Sequence, residues 1–279
     1  MNSIYFNGKI VAAEAPVLRA SNRSYRYGDG LFETMKLSDG KLVQAAYHFE
    51  RMFESLHVLH FEIPRLFLRE KLEQQIQLLC KKNNCEKLAR VRLSVFRGNG
   101  GLYDEGKTLE YIIESWPLAP SVNKLNENGL VIGIYPNAQK SCDQFSNLKS
   151  ANFLPYSMAA LFAKENKWND SLVLNGKNRI ADTTIANIFI IKENTISTPA
   201  LAEGCVKGVM RRYLLEKLRL AGFTMQETGL TEEDLQTADE VFLTNAINGI
   251  RWVKQYKDKI YTNIKTAAIY DRFIKTIFA

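Results

Sequence analysis

The sequence predicts a mixed α+β / α/β fold built as two lobes, a small N-terminal α+β lobe and a larger, β-rich C-terminal lobe with helices. Its 279 residues, of which 46% are hydrophobic, can bury one large core or two smaller ones. Apolar runs with strand spacing alternate with stretches of helical spacing. Residues 116–129 interrupt this periodicity with two prolines and several turn formers. We therefore predict lobes over 1–115 and 130–279, joined by a linker over 116–129.

The N-terminal lobe is predicted to begin with a β-hairpin. Residues 3–12 alternate around Asn7-Gly8, a pair that favours the tight turn between antiparallel strands. Gly28 and Gly30 then permit backbone conformations that are closed to other residues, before a strand resumes at 32–37. A sheet therefore forms early in the chain.

Two helices and two further strands complete the predicted N-terminal lobe. Apolar residues recur at helical spacing over 44–60, and Arg51 lies within this helix. Pro64 closes it, and a second helix is predicted over about 65–82. Apolar strands follow at 89–96 and 109–115.

The C-terminal lobe is predicted to combine strands with helices. An apolar helix follows Lys149, and Gly208 precedes another helix that ends near Gly222. The other predicted elements are strands at 130–135, 171–174 and 179–192, a strand on each side of a turn at 244–248, and a terminal helix at 262–278.

The cysteine and histidine patterns predict neither a disulfide framework nor a metal site. The 4 cysteines are scattered and form no C-x-x-C pair, which favours a reducing cytoplasm. His57 and His60 could share a helix face, but no cysteine or carboxylate cluster completes a site, so structural histidines are favoured. The N-terminus lacks a signal-peptide pattern, and no apolar window has the length of a membrane span. We expect a soluble cytoplasmic protein that binds no membrane.

The charge balance favours anionic partners. The formal net charge is +7 and the pI is about 9.1. Basic residues are interleaved with Asp and Glu rather than clustered in a stripe, so a nucleic-acid surface is not predicted. A small acidic substrate or a phosphorylated cofactor fits the charge better, although an ordinary solvated surface also fits it.

The second lobe contains residue types that a pyridoxal phosphate site needs: a lysine, an acid for the ring nitrogen, and donors for the phosphate. A lysine that precedes an apolar helix can be kept nucleophilic by desolvation. N–H groups at a helix start after glycine favour a phosphate. Taken alone, the lysine also fits an ordinary surface position at a helix start. The candidates are Lys149 for the cofactor aldehyde, Asp182 for the ring nitrogen, Val209, Met210, Asn245 and Ala246 for the phosphate, and Arg51 as a charged clamp.

These segments, in this order, resemble the class IV aminotransferase family, the fold-type-IV pyridoxal phosphate enzymes. The resemblance covers nearly the whole chain. It implies pyridoxal 5′-phosphate as the cofactor, Lys149 as its lysine, Arg51 as a phosphate ligand, and a homodimer. The matching stretches are 22–34 (R-x-x-x-Y/F-G-D-G-x-F/Y-E-x), 48–52 (H-x-x-R-L), 149–154 (K-x-x-N-x-L), 182–189 (E-x-x-x-x-N-[IVL]-F) and 207–212 (G-[IV]-[TM]-R).

Within that family, branched-chain aminotransferase, D-amino-acid aminotransferase and aminodeoxychorismate lyase activities compete. Three features are most similar to the lyase. The loop at 97–101 resembles its R-G-x-G-G pattern, and Met210 stands where the aminotransferases usually place threonine. The stretch 244–253 is similar to its N-[AS]-x-x-x-[IV]-x-x-V turn.

Two positions depart from the family pattern. Asp182 stands where the family usually has glutamate, so its shorter arm must approach the ring differently or through water. Phe153 occupies the position where branched-chain enzymes commonly supply a tyrosine, which argues against that activity.

The resemblance therefore implies a lyase that converts 4-amino-4-deoxychorismate into 4-aminobenzoate and pyruvate, in the folate pathway. The substrate is a small anion with an amino group, and Arg97, with Arg251 as a second candidate, is expected to bind its carboxylates. Each arginine also fits an ordinary surface position. The alternatives are a class IV aminotransferase that uses 2-oxoglutarate, and a cofactor-binding protein without turnover.

Overall fold

The computed structural model describes residues 2–104 and 108–278. The chain divides into two compact units. The first comprises Met1–Ser121 with Leu148–Asn152, and the second comprises Val122–Asn147 with Phe153–Ala279. Each unit contains a sheet and helices, which confirms the predicted mixed fold.

The first unit contains an antiparallel sheet with the strand order β2-β1-β6-β5-β3-β4. Alternate residues of β3 and β5, such as Leu37 and Val91, are completely buried in a core with α2 and α3. The strands are β1 (Ser3–Phe6), β2 (Lys9–Ala12), β3 (Gly30–Ser38), β4 (Lys41–Leu42), β5 (Leu88–Arg97) and β6 (Leu109–Pro117), and the helices are α1 (Arg23–Tyr27), α2 (Ala45–Val58) and α3 (Arg69–Lys82).

The predicted hairpin is confirmed. Asn7 and Gly8 have φ angles of 47° and 84°, the left-handed backbone that this tight turn requires. Helix α1 was not predicted, because its short sequence has no apolar period. Asn22 caps it by accepting hydrogen bonds from the N–H groups of Ser24 and Tyr25.

The second unit contains a mixed sheet with the order β12-β11-β10-β13-β14-β7-β8-β9, and β15 pairs with β14. Its core lies among β7, β8, β10, β13 and β14. The strands are β7 (Leu130–Lys140), β8 (Asp170–Asn175), β9 (Ile180–Thr183), β10 (Asn187–Lys192), β11 (Thr195–Pro199), β12 (Thr224–Thr228), β13 (Glu240–Asn245), β14 (Gly249–Tyr256) and β15 (Lys259–Ile260). The helices are α4 (Leu154–Glu165), α5 (Val209–Leu220), α6 (Glu232–Thr237) and α7 (Ile264–Ile269).

Three predicted elements differ from the structure. The strand-like run over 179–192 is divided into β9 and β10, because Thr183 and Ala186 bond to each other and close a turn. The terminal helix is α-helical only over Ile264–Ile269, and π-helical and 3₁₀ turns follow it. Strand β7 continues past the predicted end at 135 through a bulge between Tyr135 and Gln139.

The segment Leu148–Asn152 groups with the first unit, although it lies within the predicted 130–279 lobe. The reason is backbone pairing with β3. The N–H of Phe32 donates to the Lys149 carbonyl at 2.9 Å, and the N–H of Ala151 donates to the Gly30 carbonyl at 2.9 Å. The predicted lobe boundaries were drawn from local sequence, which does not register this long-range pairing.

The described residues include no helix that is both long enough and apolar enough to span a bilayer.

Candidate active site

Lys149 lies beside strand β3 in the first unit and precedes helix α4. Its side chain is half-buried, and its Nζ is 4.7 Å from the centre of the Phe32 ring. The pairing of its carbonyl with the N–H of Phe32 fixes the backbone from which the amine extends. The backbone pairing therefore fixes the start of the side chain, and the amine lies against an aromatic face.

Gly28 and Gly30 are required by close packing around this segment. A Cβ on Gly28, where φ is +66°, would lie 2.4 Å from Asn152 Oδ1. A Cβ on Gly30 would lie 2.7 Å from the Val95 carbonyl oxygen. The two glycines thus allow the lysine segment and β5 to approach β3 closely. This close packing explains why glycine is needed at both positions, which the sequence pattern alone does not show.

Arg51 is buried on α2, where Glu33 of β3 binds it through both carboxylate oxygens. Arg51 Nε donates to Glu33 Oε1 at 2.8 Å, and Arg51 Nη2 donates to Glu33 Oε2. His48 Nδ1 lies 2.7 Å from Glu33 Oε2. Strand β3 and helix α2 therefore join in a buried Glu33–His48–Arg51 cluster.

Electrostatics favour an ionised Glu33 and a neutral His48. Burial alone would raise the pKa of the Glu33 carboxyl, but the charge of Arg51 and the bonds from His48 and Arg51 lower that pKa to about 2. Burial lowers the pKa of His48, and the bond to Glu33 opposes this shift. His48 Nδ1 then donates to Glu33, and Nε2 has no partner among the described residues.

Arg97 is held at the base of its loop by neighbours in the first unit. Its Nη1 donates to Asp29 Oδ1 at 2.6 Å, and its Nη2 donates to the carbonyls of Leu59 and His60. Asp29 also accepts from Arg23 Nε at 2.9 Å. The Gly-Asp-Gly stretch therefore anchors the Arg97 loop, while the expected role of Arg97 in substrate binding stays a prediction.

Asp182 lies on β9 in the second unit and is 2% exposed. The Tyr156 hydroxyl donates to it, at 2.9 Å from Oδ1 and 3.1 Å from Oδ2. The N–H of Val206 donates to Oδ2 at 2.8 Å, and Lys140 Nζ lies 3.4 Å from the same oxygen. A buried acid in a fixed orientation is what contact with a ring nitrogen requires.

The sequence did not predict that Lys140 and Tyr156 contact Asp182. Burial, and then the charge of Asp182, raises the pKa of Tyr156 well above its ordinary value, so its hydroxyl remains a donor. Tyr156 belongs to the helix predicted after Lys149, but nothing in its spacing indicates a partner. Lys140 lies beyond the predicted end of β7, so only the observed bulge reveals its position.

Two of the four predicted phosphate donors, Val209 and Met210, lie at the N-terminus of α5. Gly208 precedes Val209 and has no side chain to cap the helix, so the first N–H groups remain for a ligand. A Cβ on Gly208 would lie 1.8 Å from Asn187 Oδ1, so the chain packs tightly there. Asn187 pairs in register with Thr244, whose buried Oγ1 has no hydrogen-bond partner among the described residues.

This arrangement fits a phosphate group. Free N–H groups and a hydroxyl without a partner supply donors, and the helix dipole favours an anion. The N–H of Val206, just before Gly208, bonds to Asp182, so the donor group and the buried acid lie in one continuous region of the second unit. A cofactor with a phosphate and a basic ring nitrogen matches this donor set.

Asn245, Ala246 and Arg251 surround the turn between β13 and β14. Asn245 Oδ1 accepts from the N–H groups of Ile247 and Asn248 at 3.0 and 2.8 Å, so this side chain closes the turn. Arg251 Nη2 lies 3.4 Å from Asn248 Oδ1. Burial lowers the pKa of the half-buried Arg251. The expected cofactor and substrate contacts of these residues stay predictions.

A family model described as amino-transferase class IV matches residues 30–256, which is most of the chain. The chain belongs to the class IV aminotransferases. Pyridoxal 5′-phosphate is the cofactor of this family, and the sequence prediction of family and cofactor is confirmed.

Two class IV relatives have different activities but similar identities to this chain. An aminodeoxychorismate lyase from Vibrio harveyi is 29% identical and covers 82% of this chain and 83% of its own. A branched-chain-amino-acid aminotransferase from Pseudomonas aeruginosa is 27% identical, with coverages of 86% and 80%. These identities do not separate the two activities.

The same fold is found in solved class IV structures. The branched-chain aminotransferase of the archaeon Thermoproteus uzoniensis, solved with norvaline, superposes with a TM-score of 0.88. It is 19% identical and covers 99% of this chain and 94% of its own. At this identity the likeness establishes the fold, which agrees with the predicted fold-type-IV architecture.

The structure thus groups the predicted site residues by unit. The first unit holds Lys149, Arg51 and Arg97, and the second holds Asp182, Val209, Met210, Asn245, Ala246 and Arg251.

Proposed function

We propose that the protein is a pyridoxal phosphate-dependent 4-amino-4-deoxychorismate lyase that forms 4-aminobenzoate and pyruvate. The observation that carries the choice of activity is Met210, which is 1% exposed at the start of α5. Its side chain has no hydroxyl at a position where the resembled aminotransferases usually place threonine. The lyase-like loop at 97–101 and the Vibrio harveyi relative support the same choice.

The proposed cofactor contacts draw on the predicted site residues. Lys149 would bind its aldehyde, and Asp182 would face its ring nitrogen. The N–H groups of Val209 and Met210, with Thr244, would bind its phosphate, and Arg51 would add a positive charge. When bound, the cofactor supplies an electron sink for the carbon that bears the substrate's nitrogen.

In the proposed reaction Lys149 moves the protons. Lys149 would hold the cofactor's aldehyde in the resting protein, and its amine would be free to move protons once the substrate is bound. Lys149 then acts as a base and removes the proton from the substrate carbon that bears the nitrogen. It returns a proton as the bond to the enolpyruvyl oxygen breaks and pyruvate leaves. The ring that results is aromatic, which makes the step favourable.

Arg97 and Arg251 are the proposed partners of the substrate carboxylates. Arg97 has carbonyl and Asp29 partners that fix its guanidinium, so any carboxylate it binds would meet a pre-oriented group. Replacing Arg97 by lysine would keep a charge but lose the planar fork. We expect KM for the substrate to rise, with a smaller change in kcat.

The second candidate is a class IV aminotransferase, which is favoured by the similar identity to the Pseudomonas aeruginosa relative. The two activities separate in one assay. Purified protein with pyridoxal phosphate is given 4-amino-4-deoxychorismate, and 4-aminobenzoate fluorescence is followed with and without 2-oxoglutarate. The lyase forms product without the oxo acid. Product that depends on 2-oxoglutarate, with glutamate formed, would instead identify the transaminase, and neither product with cofactor bound would identify a protein without turnover.

We also propose that the protein is a homodimer. Leu154, Met158 and Leu161 follow one another at helical spacing on α4 and are 71%, 43% and 54% exposed. An apolar stripe of this kind is costly in water, and a second copy would cover it. Light scattering of the wild type should give twice the chain mass, and Leu161→Glu should reduce it to one chain if this stripe is the interface.

A further inference from the structure

A lysine lies against the buried acid of the second unit. Lys140 is the last residue of β7, and its side chain is 11% exposed while that of Asp182 is 3% exposed. Its Nζ lies 3.4 Å from Asp182 Oδ2 and 5.1 Å from the centre of the Tyr156 ring. Because this pair is shielded from water, its electrostatic interaction is stronger than that of a surface ion pair.

The two carboxylate oxygens of Asp182 have different numbers of hydrogen-bond donors. Oδ2 lies within bonding distance of Lys140 Nζ, the N–H of Val206 and the Tyr156 hydroxyl, at 3.4, 2.8 and 3.1 Å. Oδ1 has the Tyr156 hydroxyl at 2.9 Å as its partner among the described residues. A carboxylate offers about four lone-pair sites in all. Oδ1 is therefore the oxygen with room for one more donor.

Lys140 supplies the charge in this cluster. Tyr156, from α4, faces Asp182 with a neutral hydroxyl. Cys205, from the segment before α5, is also close, and burial raises the pKa of its thiol to about 11, so it is neutral at physiological pH. Among the described side chains that bond to Asp182, the lysine alone carries a charge.

We propose that Lys140 is a positioning residue that acts through Asp182 to weaken protonation of the cofactor's ring nitrogen. The inference rests on the proposed function, in which Asp182 faces that nitrogen. A cation 3.4 Å from the carboxylate offsets part of its negative charge, so the carboxylate stabilises a neighbouring positive charge less. The positive charge that the ring gains on protonation is therefore less favourable when Lys140 is present.

The test measures ring protonation directly. The full-length protein is reconstituted with pyridoxal phosphate labelled with ¹⁵N in the ring, and solid-state ¹⁵N NMR gives the ratio of protonated to neutral nitrogen against pH. We expect Lys140→Met to raise this ratio about tenfold at a given pH, the scale of one nearby charge. Lys140→Arg should stay close to the wild type. Lys192→Met, at an exposed strand end of the same unit, is the matched control and should leave the ratio unchanged.

A further variant, Asp182→Asn, distinguishes an error in the role of Lys140 from an error in the placement of Asp182. Asp182→Asn should lower the ratio if this residue faces the ring nitrogen. A Lys140→Met ratio equal to that of the wild type, while Asp182→Asn changes it, would overturn the role of Lys140 and leave the proposed function intact. A ratio that Asp182→Asn does not move would overturn the placement of Asp182, and the inference with it. Melting of each cofactor-free variant shows whether the fold is retained.

Discussion

Glu33 in the first unit and Asp182 in the second are equally buried, at 2% exposure each, but their partners differ. Glu33 is bound through both oxygens by Arg51 and also by His48. Asp182 has a hydroxyl, a backbone N–H and a lysine at 3.4 Å. Both oxygens of the first carboxylate accept from the charged Arg51, and one also accepts from the neutral His48. The second carboxylate has neutral donors and a more distant lysine, and its Oδ1 accepts only from the Tyr156 hydroxyl among the described residues.

This difference indicates different tasks. A bidentate pair with arginine fixes the strand β3 relative to the helix α2, and it also fixes the direction of the Arg51 guanidinium. A carboxylate with remaining acceptor capacity can bind a further donor. Glu33 is thus suited to hold β3, α2 and the Arg51 guanidinium in place. Asp182 is suited to contact a ligand. The predictions below test this contrast, from the largest expected effect to the smallest.

Glu33→Gln should cause the largest loss of stability. Removing one partner of a buried ion pair leaves the other charge uncompensated, so we expect the free energy of unfolding to fall by about 3–5 kcal/mol. Urea denaturation of the cofactor-free protein measures it. Glu70→Gln, on the exposed face of α3, is the control and should change stability by less than about 0.5 kcal/mol. If Glu33→Gln lowered the free energy of unfolding by less than about 1 kcal/mol, the structural role assigned to Glu33 would be contradicted.

The free energy of unfolding should depend on pH through Glu33 and His48 of the same buried cluster. The folded pKa of Glu33, about 2, lies below its ordinary value of 4.5, so its contribution is complete above pH 4.5 and is lost as pH falls from 4.5 towards 2. The lowered pKa of His48 adds a loss that begins below its ordinary value of 6.5. Urea midpoints against pH should fall less steeply below pH 4.5 in Glu33→Gln. Parallel curves for the two proteins would contradict the assignment.

Gly208→Ala should weaken cofactor binding. The added Cβ would lie 1.8 Å from Asn187 Oδ1, so either the start of α5 or the Asn187 side chain, which donates to the Val206 carbonyl, must shift, at a cost of about 1–3 kcal/mol. We expect the Kd for pyridoxal phosphate to rise about tenfold or more. Gly176→Ala is the matched control, because its nearest neighbour would be 3.9 Å away. Equal affinity in the two variants would place the phosphate elsewhere.

Tyr156→Phe should have the smallest effect on stability. It removes one neutral donor from Asp182, which costs about 0.5–1.5 kcal/mol. Tyr103→Phe, at a side chain that is 95% exposed, controls for the loss of a hydroxyl. If Tyr156→Phe destabilised the protein as much as Glu33→Gln, the two carboxylates would have equivalent supporting roles.

Elements with local signals could be predicted from the sequence. The hairpin at Asn7-Gly8 follows from the left-handed backbone that these residues accept, and α5 follows from an apolar period that starts after Gly208. Lys149, Arg51 and Asp182 were found because short patterns carry them. Arg51 and Asp182 lie on a helix and a strand that the sequence also predicted, and Lys149 lies in the segment before the predicted helix α4.

The supporting contacts could not be predicted, because they join residues that are distant in sequence. Glu33 and Arg51 meet only when β3 packs on α2. Lys140 reaches Asp182 because a bulge in β7 shifts its register and places Lys140 opposite Asn175 on β8. Local periodicity does not encode such register shifts, which depend on how three strands pair.

Absorbance of the protein with pyridoxal phosphate tests the central claim, that Lys149 holds the cofactor. The wild type should show a band near the edge of the visible range that persists through gel filtration. Lys149→Ala should lose both this band and turnover, while Lys192→Ala, the control lysine, should keep both. A Lys149→Ala protein that retains the band, or a wild type that stays colourless after addition of the cofactor, would contradict the account.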